Sequence, residues 1–181
     1  MAVTFQEIAH FWFDELESKS WWIKDEAFDA EIRQRFGAIH ALAARCECYP
    51  WRTQPLGRLA EIIVLDQFSR NIYRDQPLAF ATDALSLALA QEAVALQVDK
   101  KFTATQKAFL YLPYMHSESA AIHEAAVSLF DQPGLESNLA FELKHKTIID
   151  RFGRYPHRNA ILGRTSTEEE IAFLQQPGSS F

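Results

Sequence analysis

The apolar residues of this chain repeat at helical intervals, and that spacing constrains the fold more than any other feature. Phe28, Ile32, Phe36, Ile39 and Ala43 are separated by four, four, three and four residues, and Phe141, His145, Ile148 and Phe152 by four, three and four. Such steps line one face of an α-helix, whereas a half-buried strand needs strict alternation, and no convincing alternation is found. Capping signals punctuate the helices. Thr4 with Glu7, Thr103 with Gln106, and Thr165 with Glu168 read as capping boxes. A third helix is predicted from about Leu56 to Arg70, and an Ala- and Leu-rich one from Asp83 to Val98, N-capped by Thr82 and apolar enough all round to be central. Pro113 is expected to break or kink the chain, and Gly153 to stand at C′ of the helix before it. The prediction is an all-α single domain over residues 1–181 with about eight helices, whose final residues 177–181 form a loose tail.

Composition agrees with a globular chain. Of 181 residues 48% are hydrophobic and 23% charged, enough apolar material for one substantial core and too much for disorder. The fourteen Phe and four Trp predict an aromatic-rich core, with Phe11-Trp12-Phe13 and Trp21-Trp22 as packing or interface anchors. A formal charge of −6 argues against nonspecific binding to nucleic acid or membrane. Cys46 and Cys48 are too close for an ordinary disulfide and lack a second pair for a metal, so a reducing, cytoplasmic setting is expected. The first ten residues lack the basic and apolar regions of a signal peptide. No run approaches the roughly 18 apolar residues that span a bilayer.

Three segments carry residues suited to chemistry. Arg151 to Arg164 holds Arg151, Arg154, Arg158, Arg164 and His157, with no acid between Asp150 and Glu168. Guanidinium forks bind carboxylate or phosphate bidentately, but the same arginines serve equally as helix caps and partners of core carboxylates. Asp66 and Arg70 lie four apart on the stripe of Leu59 and Ile63, followed by Asn71 and Arg74. They read either as an internal ion pair or as the wall of a pocket. His116 and Glu118, after Pro113, are candidates for an acid–base pair. His116 and His123 share a helix face, yet His-Glu-x-x-His is absent and no metal is predicted. His145, on an apolar face, reads as a hydrogen-bonded core residue. Phosphate loops of the Gly-x-x-x-x-Gly-Lys and Gly-x-Gly-x-x-Gly kinds are missing.

Several of these segments, in order, occur together in one family: Phe11-Trp12-Phe13, Leu65 to Asn71, Ala79 to Asp83, Pro113 to Glu118, Arg151 to Asn159, Leu162-Gly163-Arg164 and Ser166 to Glu169. The chain resembles the bacterial domain-of-unknown-function family 924 over nearly its whole length. The resemblance implies antiparallel helix pairs in a tetratricopeptide-like arrangement, and no activity, substrate or cofactor. The family usually has Pro where Ser69 stands and Phe where Tyr114 and Tyr155 stand.

Two functions are compatible with the sequence. In the first, Arg70, Arg74, Arg154, Arg158 and Arg164 clamp a small anionic metabolite, and Asn71 and Asn159 orient it. Asp66 holds an arginine, and His116, Glu118 and His157 supply acid–base chemistry for hydrolysis or transfer without a cofactor. In the second, the helices form a scaffold with a groove for a peptide or protein partner, which rests on fold analogy.

Overall fold

The structure is a computed structural model, which describes residues 3–180. The described residues contain helices and no strand. In chain order these are α1 (Phe5–His10), α2 (Glu26–Ala44), α3 (Pro55–Ile63), α4 (Ser69–Ile72), α5 (Asp83–Ala95), α6 (Ala104–Met115), α7 (Ala120–Phe130), α8 (Glu136–Phe152) and α9 (Glu168–Leu174). A π-helical turn, Val64–Phe68, joins α3 to α4, so the two make one interrupted rod and the described helices number eight, as predicted. Short 3-10 turns fill several connections, among them Pro77–Phe80 and Pro156–Arg158.

The α3–α4 rod is the spine. Leu59, Ala60, Ile62, Val64, Leu65 and Phe68 are completely buried. α1, α5 and α6 pack on α3, and α2 packs on α4 and the π turn. From α5 onward each helix packs on its neighbour in sequence, α5 on α6, α6 on α7 and α7 on α8, as short connections require. The aromatic core predicted from composition gathers around Trp12. Its ring meets Phe68 and Phe109 edge-on with centroids 5.5 Å away, a geometry worth roughly 0.5–1.5 kcal/mol per pair beyond burial. Trp21 packs on Phe109 at 4.9 Å and donates its indole N–H to the Trp12 carbonyl at 3.0 Å, while Trp22 beside it is exposed. Cys46 and Cys48 are both free thiols.

Local reading of the helix ends succeeds at Thr4 and Thr103, whose capping boxes form as spelled. At α9 the N-cap is Thr167, boxed with Glu170, two residues beyond the spacing first suggested. Gly153 takes a left-handed conformation (φ 68°) after α8. Four expectations are corrected. Pro113 does not break the chain: α6 runs through it to Met115, giving up only the one hydrogen bond that its missing N–H would have made to the Phe109 carbonyl. Thr82 precedes α5 but does not cap it, because its hydroxyl turns inward to the Leu65 carbonyl at 2.6 Å. The stretch Pro77–Ala95 is, by length and composition, apolar enough to cross a membrane, with hydropathy 1.3. That helical stretch carries Asp83 into ion pairs with the spine. α5 is also less central than predicted, since Ala84, Ala88, Gln91, Glu92 and Ala95 along it are exposed.

Of the predicted loose tail, Phe181 lies outside the described residues, as do Met1 and Ala2 of the start. Ser179 is buried and donates to the Leu174 carbonyl at 3.2 Å.

Gly57 marks a close approach of two backbones. A Cβ there would stand 2.2 Å from the Trp51 carbonyl oxygen. Gly57→Ala should therefore cost about 1–3 kcal/mol through overpacking, measured as a lowered denaturation midpoint. An unchanged midpoint would mean that the Trp51 turn moves freely.

Candidate functional site

The π turn supplies the first part of the site. A π turn disturbs the regular carbonyl pairing of the helix, and here side chains bond the carbonyls of Leu65 and Asp66. Ser69 and Thr82 hydroxyls both donate to Leu65, each at 2.6 Å, and Arg70 Nη1 donates to the Asp66 carbonyl at 2.7 Å. Ser69, a residue that departs from the family pattern, is thus accommodated by its own hydroxyl. Asp66 itself is buried and its carboxylate is shared. His116 Nδ1 lies 2.8 Å from Oδ1, Arg70 Nη1 lies 3.2 Å from the same oxygen, and Gln67 Nε2 donates to Oδ2 at 2.5 Å. Burial alone would raise the carboxyl pKa, but Arg70 and His116 overcome it and hold Asp66 ionised. An ionised carboxylate only accepts, so the His116 proton sits on Nδ1. The other ring nitrogen, Nε2, takes no hydrogen bond from the described residues, and the side chain is 17% exposed. Burial, with Arg70 nearby, lowers the His116 pKa, leaving a neutral ring with an outward lone pair at pH 7.

The second part is Arg158, in the turn after Tyr155-Pro156. It is buried, and its guanidinium carbon lies 4.6 Å from the ring centroids of both Phe80 and Tyr155. Its hydrogen bonds are few. Nη2 donates to the His116 carbonyl at 3.0 Å, Nη1 reaches Asp83 Oδ2 at 3.4 Å, and the buried Nε has no partner. Arg70 already takes both Asp83 oxygens, at 3.0 and 3.1 Å, and also faces Phe80, at 5.8 Å. Burial and the Arg70 charge lower the Arg158 pKa. Arg70, Asp83 and His116 thus form one polar surface with side chains 20%, 19% and 17% exposed.

The other predicted residues are committed elsewhere. Glu118 accepts the Tyr155 N–H at 2.7 Å and both terminal nitrogens of Arg164, at 2.6 and 2.9 Å. Burial opposes its ionisation, but the Arg164 fork prevails and lowers its pKa, so Glu118 is a fixed carboxylate. Arg164 Nε donates to Asn159 Oδ1, whose amide bonds Ser166 and Glu170. Arg154 grips Glu170 with two bonds, at 2.6 and 2.8 Å. This chain of pairs clasps the segment between α8 and α9 onto the body of the protein. Asn71 and Arg74 lie apart from the cluster and hold Asp29 on α2.

Behind the site lies a buried histidine cluster. His123 and Glu142 are completely buried and bonded at 2.6 Å, and the second His123 nitrogen donates to the Ser117 carbonyl. Burial raises the Glu142 pKa against the pull of His123. Tyr155 donates its hydroxyl to the Met115 carbonyl at 2.5 Å and meets His123 and His145 edge-on and His157 at a tilt, at centroid distances of 6.3, 5.8 and 5.5 Å. His145 bonds the Phe141 carbonyl, as its place on an apolar face suggested. No group of three or more His, Cys, Asp or Glu is placed to hold a metal ion among the described residues.

The sequence matches the description of a family of bacterial proteins of unknown function, DUF924, over residues 8–178. The chain belongs to this family. A solved structure of a protein of unknown function from Agrobacterium tumefaciens superposes with a TM-score of 0.90 at 36% identity, covering 94% of this chain and 96% of that one. No curated protein matches.

In this DUF924 member the structure therefore joins Asp66, Arg70, His116 and Arg158 and sets His157 behind them on Tyr155. It assigns Glu118, Arg154, Asn159 and Arg164 to the clasp, and Asn71 and Arg74 to α2. Two open depressions lie elsewhere, one of about 640 Å³ bordered by Phe5, Leu56 and Phe102, and one of about 300 Å³ bordered by Glu7, Arg35 and Phe36. Neither includes a predicted site residue. Sequence reasoning missed Phe80, Asp83 and Tyr155. Their signal was present: buried arginines demand an acid and a flat face, and Ala79 to Asp83 stood among the family segments.

Proposed function

We propose that the protein binds a small carboxylate-bearing metabolite at the surface formed by Arg70, Asp83 and His116, with Arg158 as the anchor. The observation that carries this reading is the donor deficit of Arg158. A guanidinium has five N–H donors, and the described residues engage two of them, one at only 3.4 Å to an oxygen that Arg70 also uses. Buried donors without acceptors cost about 1–3 kcal/mol each, so a ligand oxygen reaching Arg158 recovers a penalty already present. Asp66 and Asp83 balance Arg70 and Arg158 before any ligand arrives. The site therefore suits one carboxylate group, a single charge spread over two oxygens, with any further carboxylate of the ligand left in solvent, rather than the concentrated charge of a phosphate dianion.

Thermal unfolding with added succinate, citrate and inorganic phosphate tests this. A ligand at 100 times its dissociation constant adds about 2.7 kcal/mol of stability, which for this chain length is a rise of roughly 5–10 °C in Tm. Succinate is expected to give it, phosphate a smaller one, and Arg158→Gln to abolish both. No rise with any of the three, in the parent protein, would overturn the reading.

A further inference from the structure

We infer that His116 is a general base, oriented by Asp66, that hydrolyses an activated acyl group, a thioester or an aryl ester, of the carboxylate-bearing ligand. This inference rests on the proposed binding at Arg70 and Arg158. Its own support is the geometry of the dyad. A fully buried carboxylate 2.8 Å from Nδ1 fixes both the tautomer and the plane of the ring, so the basic nitrogen is Nε2. The same Asp66 oxygen also holds Arg70, and Arg158 grips the carbonyl of His116 itself. Base and guanidiniums therefore belong to one rigid unit, which is what positions a water against a bound acyl carbon.

The class of substrate follows from the single base that this unit offers. Nε2 takes the proton from water and is also the donor that returns it to the leaving group, so the electrophile is an acyl group whose leaving group departs readily as an anion. Burial lowers the His116 pKa, which keeps the ring unprotonated at neutral pH. In the reaction Nε2 removes one proton from water while the water oxygen bonds to the acyl carbon. The carbonyl electron pair moves to its oxygen, whose charge the Arg70 guanidinium stabilises in this scheme. Collapse of this tetrahedral oxyanion breaks the carbon–sulfur or carbon–oxygen bond, and the proton on Nε2 passes to the departing thiolate or aryloxide. The new acid then loses its proton to solvent. His116 is catalytic in this scheme, and Asp66 is a positioning residue.

Mono-p-nitrophenyl succinate is the probe, with p-nitrophenyl acetate as its uncharged counterpart and succinate binding measured in parallel by calorimetry. The parent should release p-nitrophenol from the succinate ester at least about 100-fold faster than buffer, with a clear preference over the acetate. His116→Gln, whose side-chain amide can still donate to Asp66, should fold, keep succinate binding and fall to the buffer rate. Asp66→Asn should lower kcat and displace the pH profile while KM changes little. Succinate binding without ester cleavage above buffer, or cleavage that His116→Gln leaves intact, overturns the general base and leaves the binding site standing. Loss of succinate binding itself overturns both.

Discussion

Asp66→Ala is expected to destabilise the protein by about 3–5 kcal/mol, because it removes one partner of a buried ion pair and leaves the other charge behind. Asp66 is 1% exposed and serves His116, Arg70 and Gln67 at once. After the substitution Arg70 keeps Asp83 and the Asp66 carbonyl, but His116 Nδ1 and the Gln67 amide lose their acceptor inside the core. Urea unfolding of Asp66→Ala, Arg70→Met and the double variant measures the coupling. The double variant should lose less than the sum of the single losses by more than about 1 kcal/mol, since each single change already breaks the same Asp66–Arg70 contact. Additive losses, or a single loss below about 1 kcal/mol, would mean that the π turn is held by packing alone.

Acid should destabilise the fold earlier than carboxylate titration would. Burial, opposed by the bond to the Phe141 carbonyl, pushes His145 down to about 3, and burial with Arg158 pushes His157 down to about 4. Burial also lowers His116. In the unfolded chain each binds a proton near pH 6.5. Below that value the unfolded state therefore holds more protons than the folded one, and stability falls as pH falls. The contribution is complete above about pH 6.5. It is lost at roughly 1.4 kcal/mol per pH unit for each histidine, until the folded-state values near 4 and 3 are reached. Carboxylates with lowered pKa, Asp29, Glu118 and Glu170, add a second loss at lower pH. The Tm measured from pH 7.5 to 4.5 should drop steeply, and His145→Gln should flatten the slope. A Tm constant from pH 7 to 5 would show that the histidines take up protons in the native state.

The helices were legible because their signals are local. Period, capping boxes and the C′ glycine all act within one turn of chain, and α1, α2, α6 and α8 follow them. The π turn at Val64–Phe68 was not legible, since a regular Leu56-to-Arg70 helix satisfies the same apolar pattern. Part of what holds the π turn comes from outside, from Thr82 and His116. Asp66 and Arg70 were read as same-face neighbours, and they do pair at 3.2 Å. Their third member, His116, lies 50 residues away, and no spacing rule reaches that far. The basic stretch Arg151 to Arg164 looked like one patch. Its members separate because Glu118, Glu169 and Glu170 each claim an arginine, and only Arg158 is left short of acceptors. Composition counts charges, whereas the site depends on which of them find partners.

The irregular turn in the spine also fixes the rotational phase between its two halves. One residue corresponds to about 100° of helix. Deleting a residue within Val64–Phe68 to restore an even helix would swing Arg70 and Asn71 by that angle relative to Leu59 and Ile63. Arg70 would then face away from Asp83, and Asn71 away from Asp29 on α2. Neighbouring helices on opposite sides of the rod would no longer be served by the same strip of sequence. The extra residue thus works as a built-in offset, letting one continuous rod address two partners at angles that an even helix cannot present together.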